Sequence, residues 1–345
     1  MKKIKRVLVY GSSSFLKKNE TKSIIKYLSR KCSLVDIFAL GEDLSKPHSK
    51  KYDLILSIGG DGIFLSASKY AYSNSTPIVG LNFGRIGFLA DLDKKNLQSK
   101  INNGNSVWVI GDIHGYYETF DALIKKLCLS EQDIILCLGD LIDKGPSSLK
   151  VLETVKGSSQ IFCVRGNHEE MMRLSISPEH GRMLKSWLKY GGLITLESFS
   201  NDENEQIKEA RKWLPFIENL PTEIVLEKYR IVHAGYDDSE PLDDQNNQQK
   251  MWGRTIFQIE KSLDNNRQII VGHTPVQTLN RLGKQDIWES EIKLLDNRPS
   301  VLGIDTGVFL AENSNPRLTA LNLTNGKIIS QERLENYFFD SPEVN

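Results

Sequence analysis

Three short signatures decide how this sequence is read: Gly111-Asp112-Ile113-His114-Gly115, Gly139-Asp140-Leu141-Ile142-Asp143 and Gly166-Asn167-His168-Glu169. Each follows directly on an apolar, β-branched run: Val107 to Ile110, Ile134 to Leu138 and Ile161 to Val164. Such runs predict strands, so each signature belongs on a loop at a strand's C-terminal end, where open α/β sheets carry their chemistry. Aspartate, asparagine and histidine offer oxygen and imidazole donors, a mix that suits Mn, Fe or Zn better than an all-oxygen calcium cage. The 27 or 28 residues between signatures leave room for one crossover helix each. The first crossover, about Tyr117 to Leu127, puts Phe120, Leu123, Ile124 and Leu127 on one face at helical spacing. The stretch therefore predicts a βαβαβ scaffold carrying half of a metal site.

The other half comes later in the chain. Tyr229 to Val232 delivers His233 before Ala234-Gly235, and Gln268 to Val271 delivers Gly272-His273. A lone histidine is usually a satisfied core or surface residue. Here His114, His168, His233 and His273 all stand just past strand-like runs and close to glycine, which leaves only His48 and His180 of the six histidines elsewhere. Beyond His273, Val301 to Gly307 predicts a strand and tight turn. Leu318 to Ser330, with Asn325-Gly326 in the middle, predicts a hairpin closed by a type I′ turn. The polar runs Ser200 to Glu205 and Asp237 to Lys250 read as surface loops, and the charged tail 332–345 as loosely held.

At 345 residues the chain is too long for a typical single domain, so two are expected. Its 44 basic and 44 acidic residues cancel, which leaves no electrostatic footprint for nucleic acid or an anionic membrane. Cys32, Cys128, Cys137 and Cys163 lie in apolar runs without paired spacing, as reduced, buried thiols do. No run approaches the ~18 apolar residues of a membrane span, and the start lacks a signal-peptide core, so a soluble cytoplasmic protein is expected. Nothing in the pattern sets an oligomeric state.

The first hundred residues have their own pattern. A strand at about Ile4 to Tyr10, an amphipathic helix with Ile24, Ile25 and Leu28, and a strand Leu34 to Leu40 precede Tyr52 to Ile58. That last run ends in Gly59-Gly60-Asp61-Gly62, followed by a predicted helix, Ile63 to Tyr72. Strand, glycine loop and helix form a phosphate-cradling arrangement as readily as a tight turn. With Pro77 to Asp91, which contains Asn82-Phe83-Gly84-Arg85-Ile86-Gly87-Phe88, this region closely resembles the N-terminal lobe of NAD kinases. The resemblance implies a Rossmann-like lobe, a nucleotide site with NAD(P) or ATP at Gly59, Gly60, Asp61, Gly62, Gly84, Gly87 and Phe88, and a catalytic aspartate at Asp61. Two features depart from that family: Ile63 stands where threonine is usual, and after Asn102-Asn103-Gly104-Asn105 the chain turns to other motifs instead of a second, β-rich lobe. Composition and this cluster put the boundary after residue 104.

From residue 105 to 331, Asp-x-His, Gly-Asp-x-x-Asp-x-Gly, Gly-Asn-His-Glu, His-Ala-Gly and Gly-His in order resemble the phosphoprotein phosphatase branch of the metallophosphoesterases. Trp187 to Leu196 and Met251-Trp252-Gly253-Arg254 look most like bacterial members and symmetrical dinucleoside-tetraphosphatases. The resemblance implies a calcineurin-like αββα fold in four layers and hydrolysis of a phosphorylated protein or a nucleotide polyphosphate. It also implies two divalent metal ions, manganese first and iron or zinc next, that share and activate a water. Asp112, His114 and Asp140 would bind one metal, and Asp140, Asn167, His233 and His273 the other. His168 would be the general acid, oriented by Asp143, and Arg254, Arg165 and Lys144 would neutralise phosphoryl oxygens. Lys144 stands where the family usually has arginine, which keeps the charge and loses the bidentate fork. The bland alternative for Lys144 is a solvated turn residue.

Overall fold

The computed structural model describes residues 4–11, 16, 19–39, 52–58, 61–81, 94–177, 183–242, 244–279, 287–337 and 339. The chain forms two compact units, residues 1–91 and 92–345. Among the described residues no helix is long and apolar enough to cross a membrane.

The first unit is a four-stranded parallel sheet of β1 (Arg6–Gly11), β2 (Leu34–Ala39), β3 (Leu54–Ile58) and β4 (Ile78–Leu81), in the order β2-β1-β3-β4. Alternate residues of the central strands serve opposite faces. Val7, Val9, Leu56 and Ile58 pack with Ile24, Ile25 and Leu28 of the helix Asn19–Lys31, while Leu8, Tyr10 and Ile55 pack with Ile63, Ala67 and Ala71 of the helix Asp61–Ser73. A parallel sheet covered on both faces is the Rossmann-like arrangement, and its strand order reverses between β1 and β3, the switch point where such sheets open a crevice. Asp61 and Gly62 open the helix that follows β3. Gly59, Gly60, Gly84, Gly87 and Phe88 lie outside the described residues.

The second compact unit takes in the helix Lys94–Asn102. The helix Lys94–Asn102 buries Leu97, Gln98 Oε1 accepts a bond from Glu227 N, and Lys100 Nζ donates to Gln132 O. The Asn-Asn-Gly-Asn cluster is this helix's C-terminal turn, with Gly104 at φ +80°. Next come β5 (Val107–Ile110), β6 (Ile134–Cys137) and β7 (Ile161–Cys163), parallel and ordered in sequence. A second sheet follows, built from β8 (Glu223–Val225), β9 (Tyr229–Val232), β10 (Gln268–Val271), β11 (Trp288–Glu289) and β12 (Val301–Gly303) in the order β11-β12-β10-β9-β8. The chain then returns to the first sheet with β13 (Arg317–Asn322) and β14 (Ile328–Glu332), completing the order β14-β13-β5-β6-β7.

The two sheets are joined face to face. Tyr229 of the second donates its hydroxyl to Leu323 O beyond the first, and His233 Nδ1 meets Leu138 O. The helix Tyr117–Leu127 buries Phe120, Leu123 and Leu127 as its spacing predicts, and it covers β13 and β14. The helix Ser148–Gly157 packs on β7. Over the second sheet, Ile256 and Phe257 of a single 3-10 turn pack with Val232, Ile269 and Val301, so that outer layer is thin. This is the expected αββα order.

Four local expectations change. Ser200–Glu205 is only partly loop, because Asp202 caps the helix Glu203–Arg211 through the Asn204 amide. Likewise the run Asp237 to Lys250 ends inside the helix Asn247–Trp252, capped by Asn246. The β13–β14 hairpin exists, yet of Asn325 and Gly326 only Gly326 has a positive φ, +75°. A type I′ turn needs two such residues, so the strands are joined by a longer loop that Asn322 Oδ1 holds through the Thr324 and Asn325 amides. Cys128 is exposed, serving as the left-handed C-cap of the helix Tyr117–Leu127.

The tail is tied down as far as it is described. Arg333 donates to Val308 O and Leu310 O. Tyr116, at the cap position of the helix Tyr117–Leu127, supplies no side-chain cap, and Glu335 Oε1 instead accepts from Glu118 N and Thr119 N. A carboxylate there satisfies orphan donors and complements the helix dipole. Glu335→Ala is expected to speed amide hydrogen exchange at Glu118 and Thr119 by about 5-fold, the effect of losing a ~1 kcal/mol cap. Unchanged protection at both amides would refute the capping role.

Candidate metal centre

Six parallel strands, three from each sheet, end at one place. β5 presents Asp112 and His114, β6 Asp140 and Asp143, β7 Asn167 and His168, β9 His233, β10 His273, and β12 Asp305. Asp140 stands in the middle, its Oδ2 3.6 Å from His114 Nε2 and its Oδ1 3.4 Å from His233 Nε2. Asn167 Oδ1 is 2.8 Å from His233 Nε2 and 2.9 Å from His273 Nδ1, and Asp112 Oδ2 accepts the His273 amide at 2.9 Å. Two groups of donors, His114, Asp140 and His168 and then Asp140, His233 and His273, are each close enough to hold one ion.

The loops reach this geometry at a cost. His114, Asp140, Asp143, Lys144 and His273 are five of the nine non-glycine residues with left-handed backbone among those described. Each such residue costs roughly 1–2 kcal/mol, and strain of this kind gathers at functional sites. Glycine is required where a ligand carboxylate passes close to backbone. A Cβ on Gly166 would lie 2.2 Å from Asp140 Oδ1, and one on Gly272 would lie 2.1 Å from Asp112 Oδ1.

Burial sets the charge states. It holds the imidazoles of His114, His168 and His273 well below the usual histidine range, and that of His233 down at about 4. Backbone carbonyls fix two of the rings: His114 Nδ1 faces Ile142 O and His233 Nδ1 faces Leu138 O, which turns each Nε2 lone pair inward. Asp112 is pushed up by burial and then by the charges of Asp305 and Asp140, while Asp305 itself rises to about 6 by burial. Asp112 Oδ1 and His273 Nε2 are buried without a partner. Neutral imidazoles with inward lone pairs, crowded carboxylates and unpartnered donor atoms fit divalent cations.

Beside this set, His168 Nδ1 is 2.7 Å from Asp143 Oδ2. Asp143 is fully enclosed. Trp187 Nε1 donates to its Oδ2 at 2.8 Å and Thr195 Oγ1 to its Oδ1 at 2.6 Å. The two donors lie on the helix Leu184–Trp187 and the helix Leu193–Phe199, separated by a π-helical turn. Glu169 accepts from the amides of Asp140, Leu141 and Gly166, joining the loops after β6 and β7, and burial raises its carboxyl to about 7. Motif reading assigned no role to Trp187, Thr195 or Glu169. The first two sit in a stretch noticed only for its resemblance, and Glu169 is inside a signature.

The three expected cations divide. Lys144 is buried, its Nζ 3.2 Å from His114 Nε2 and 3.7 Å from the centre of the Phe309 ring, which excludes a solvated turn lysine. Arg254 is exposed and near enough for its charge to lower the His233 and His273 pKa values. Arg165 does not join them. Its guanidinium bonds Glu170 and the carbonyls of Glu218 and Leu220.

Residues 106–304 match the calcineurin-like phosphoesterase family. The chain belongs to that family. Residues 4–105 match the ATP-NAD kinase N-terminal domain. Serine/threonine-protein phosphatase 2 of Escherichia coli is 32% identical over 171 residues, 48% of this chain and 75% of that protein. An NAD kinase of Legionella pneumophila is 46% identical over 52 residues, 15% of this chain and 18% of that protein. A solved metallophosphoesterase structure from Sphaerobacter thermophilus aligns at a TM-score of 0.42 with 14% identity, covering 68% of this chain and 88% of that one. The chain is thus a metallophosphoesterase-family hydrolase preceded by an NAD-kinase-like unit.

One ion network anchors the His233 side of this candidate centre. Glu223 accepts from Lys250 Nζ at 2.5 Å and Tyr236 Oη at 2.6 Å, with Arg230 3.4 Å away, and Lys250 O accepts the Ala234 amide. Burial alone would raise the Glu223 carboxyl, but the Lys250, Tyr236 and Arg230 contacts outweigh it and hold it below the ordinary range. A lowered folded pKa adds stability that is complete above the unfolded value, about 4, and is lost as pH falls through the folded one. The melting-temperature gap between wild type and Glu223→Gln is therefore expected to be full at pH 7 and to narrow below about pH 4. A gap that stays constant down to pH 3 would contradict this.

Proposed function

We propose that the second unit hydrolyses a phosphoric ester of a phosphorylated protein or a nucleotide polyphosphate, with two divalent cations, manganese first. Asp112, His114 and Asp140 would hold one cation, and Asp140, Asn167, His233 and His273 the other. The observation that carries this reading is the place of Asp140, whose two carboxylate oxygens face His114 and His233 separately. Bound there, the cations would supply charge neutralisation at phosphorus and activation of water.

The chain's own residues account for the rest. His168, held through Nδ1 by Asp143 and presenting Nε2 toward Asp140 at 3.9 Å, is neutral as burial leaves it and delivers a proton to the leaving oxygen after taking one up at Nε2. Asp143, fixed by Trp187 and Thr195, orients the ring and supports its charged form, as a carboxylate supports a triad histidine. Arg254 and Lys144 neutralise phosphoryl oxygens, Lys144 as a point charge. The four free cysteines suit a reducing, cytoplasmic setting.

Phosphate release with Mn²⁺ from the full chain is expected to vanish in Asp140→Asn. His168→Asn is expected to lose roughly 10²-fold or more on an alkyl phosphate and much less on p-nitrophenyl phosphate, whose leaving group needs no proton. Equal losses on the two substrates would remove His168 from the acid role, and full activity in Asp140→Asn would overturn the reading.

A second reading concerns the first unit, which we propose binds NAD(P) or ATP at the crevice beyond β1 and β3. Its support is the β2-β1-β3-β4 order together with the family match. Titration of the full chain with NADP and ATP is expected to give saturable binding that Asp61→Ala weakens by about 10-fold, the scale of one lost charged contact. No heat and no quench with either nucleotide would end this reading.

A further inference from the structure

A pocket of about 450 Å³ lies within the second unit, lined by Arg254, Phe257, Gln258, Thr274, Thr278, Leu279 and Trp288. Its size falls in the roughly 300–1,000 Å³ range of small-molecule sites. Two of its walls belong to the phosphoesterase centre: Thr274 follows the His273 ligand directly, and Arg254 is the exposed cation whose charge reaches His233 and His273. Resting on the phosphoesterase reading, we propose that this pocket receives the nucleobase of a nucleoside phosphate whose phosphoryl group lies at the metal centre.

The chemistry of the lining carries the choice. Phe257 and Trp288 meet edge to face, with ring centres 5.0 Å apart, and Leu279 packs on the same cluster, which gives one apolar, aromatic side. Neutral polar groups complete the lining: the Gln258 amide at an exposed position, the Thr278 hydroxyl, which donates to Pro275 O at 2.7 Å and keeps its acceptor side, and Thr274, 5% exposed, whose Oγ1 is buried without a partner. Among the described residues Arg254 is the one charged residue in the lining. A purine or pyrimidine combines a π-face for the aromatic side with ring nitrogens and exocyclic groups for the hydroxyls and amide. A phosphoserine or phosphothreonine leaving group offers no ring to the aromatic side.

The test is calorimetric titration of the Mn²⁺-loaded full chain with AMP and with ribose 5-phosphate, which share sugar and phosphate and differ by the base. Wild type is expected to bind AMP about 10-fold or more tightly than ribose 5-phosphate, the lower end of what ring stacking contributes. Thr278→Trp, filling the pocket from an exposed turn position, is expected to weaken AMP more than ribose 5-phosphate and close that gap. Gln258→Ala, a smaller change, is expected to narrow it. Equal affinities in wild type overturn the proposal. So does an AMP preference that survives Thr278→Trp, because the base is then recognised elsewhere, for example in the first unit. Failure of the hydrolysis reading has a separate signature: a chain without turnover that still shows a Thr278-dependent AMP preference keeps the pocket and loses the reaction.

Discussion

The carboxylate of Asp140 shares its two oxygens between histidines from different sheets, and that division constrains much of the second unit. For one side chain to face both His114 and His233, the C-terminal ends of β6 and β9 must meet at a seam, and the loop after β6 must turn sharply. Three carboxylate-accepted amides, all bonded by the buried Glu169, hold that turn. The left-handed conformation of Asp140 is affordable only because these bonds and the surrounding packing over-determine it. Around it the imidazoles are neutral and the acids crowded, so the centre is built for positive charge.

The outer ring of contacts explains why the site is stiff. Asp143 has bonds on both oxygens from Trp187 and Thr195 as well as from His168, so the His168 ring has little freedom. The helical segment from Leu184 to Phe199 is interrupted by a π-helical turn with Gly191 at φ +109°. Interruptions of this sort are often found at functional sites, and here the turn separates the two residues that grip Asp143.

How much was legible in the sequence follows from range. Strand bounds such as Val107–Ile110, Tyr229–Val232 and Gln268–Val271 were readable because apolar runs end abruptly at glycine and polar residues. The histidines were readable because one chemical context recurs four times. Trp187 and Thr195 were not, since their partner Asp143 is 44 and 52 residues away and nothing local marks the pairing. Arg165 stood among the phosphate clamps that the resemblance implies, and only the fold brings Glu170 and two carbonyls to its guanidinium. The hairpin turn failed for a subtler reason: Asn-Gly marks the right corner, but Asn322 recruits both following amides and lengthens the loop.

The route of the chain has a consequence for how the molecule is made. β5, which carries Asp112 and His114, pairs on one edge with β13, so that Ile110 lies opposite Ala320. More than half of the chain, including the whole second sheet, must be synthesised between these partners. On the ribosome, then, β5 waits with one edge bare while β6 and β7 can already pair, until β13 has been made. The nascent chain is in this sense a molecule with an open, adhesive strand edge, and its exposure to mispairing lasts at least as long as the synthesis of the residues between β5 and β13.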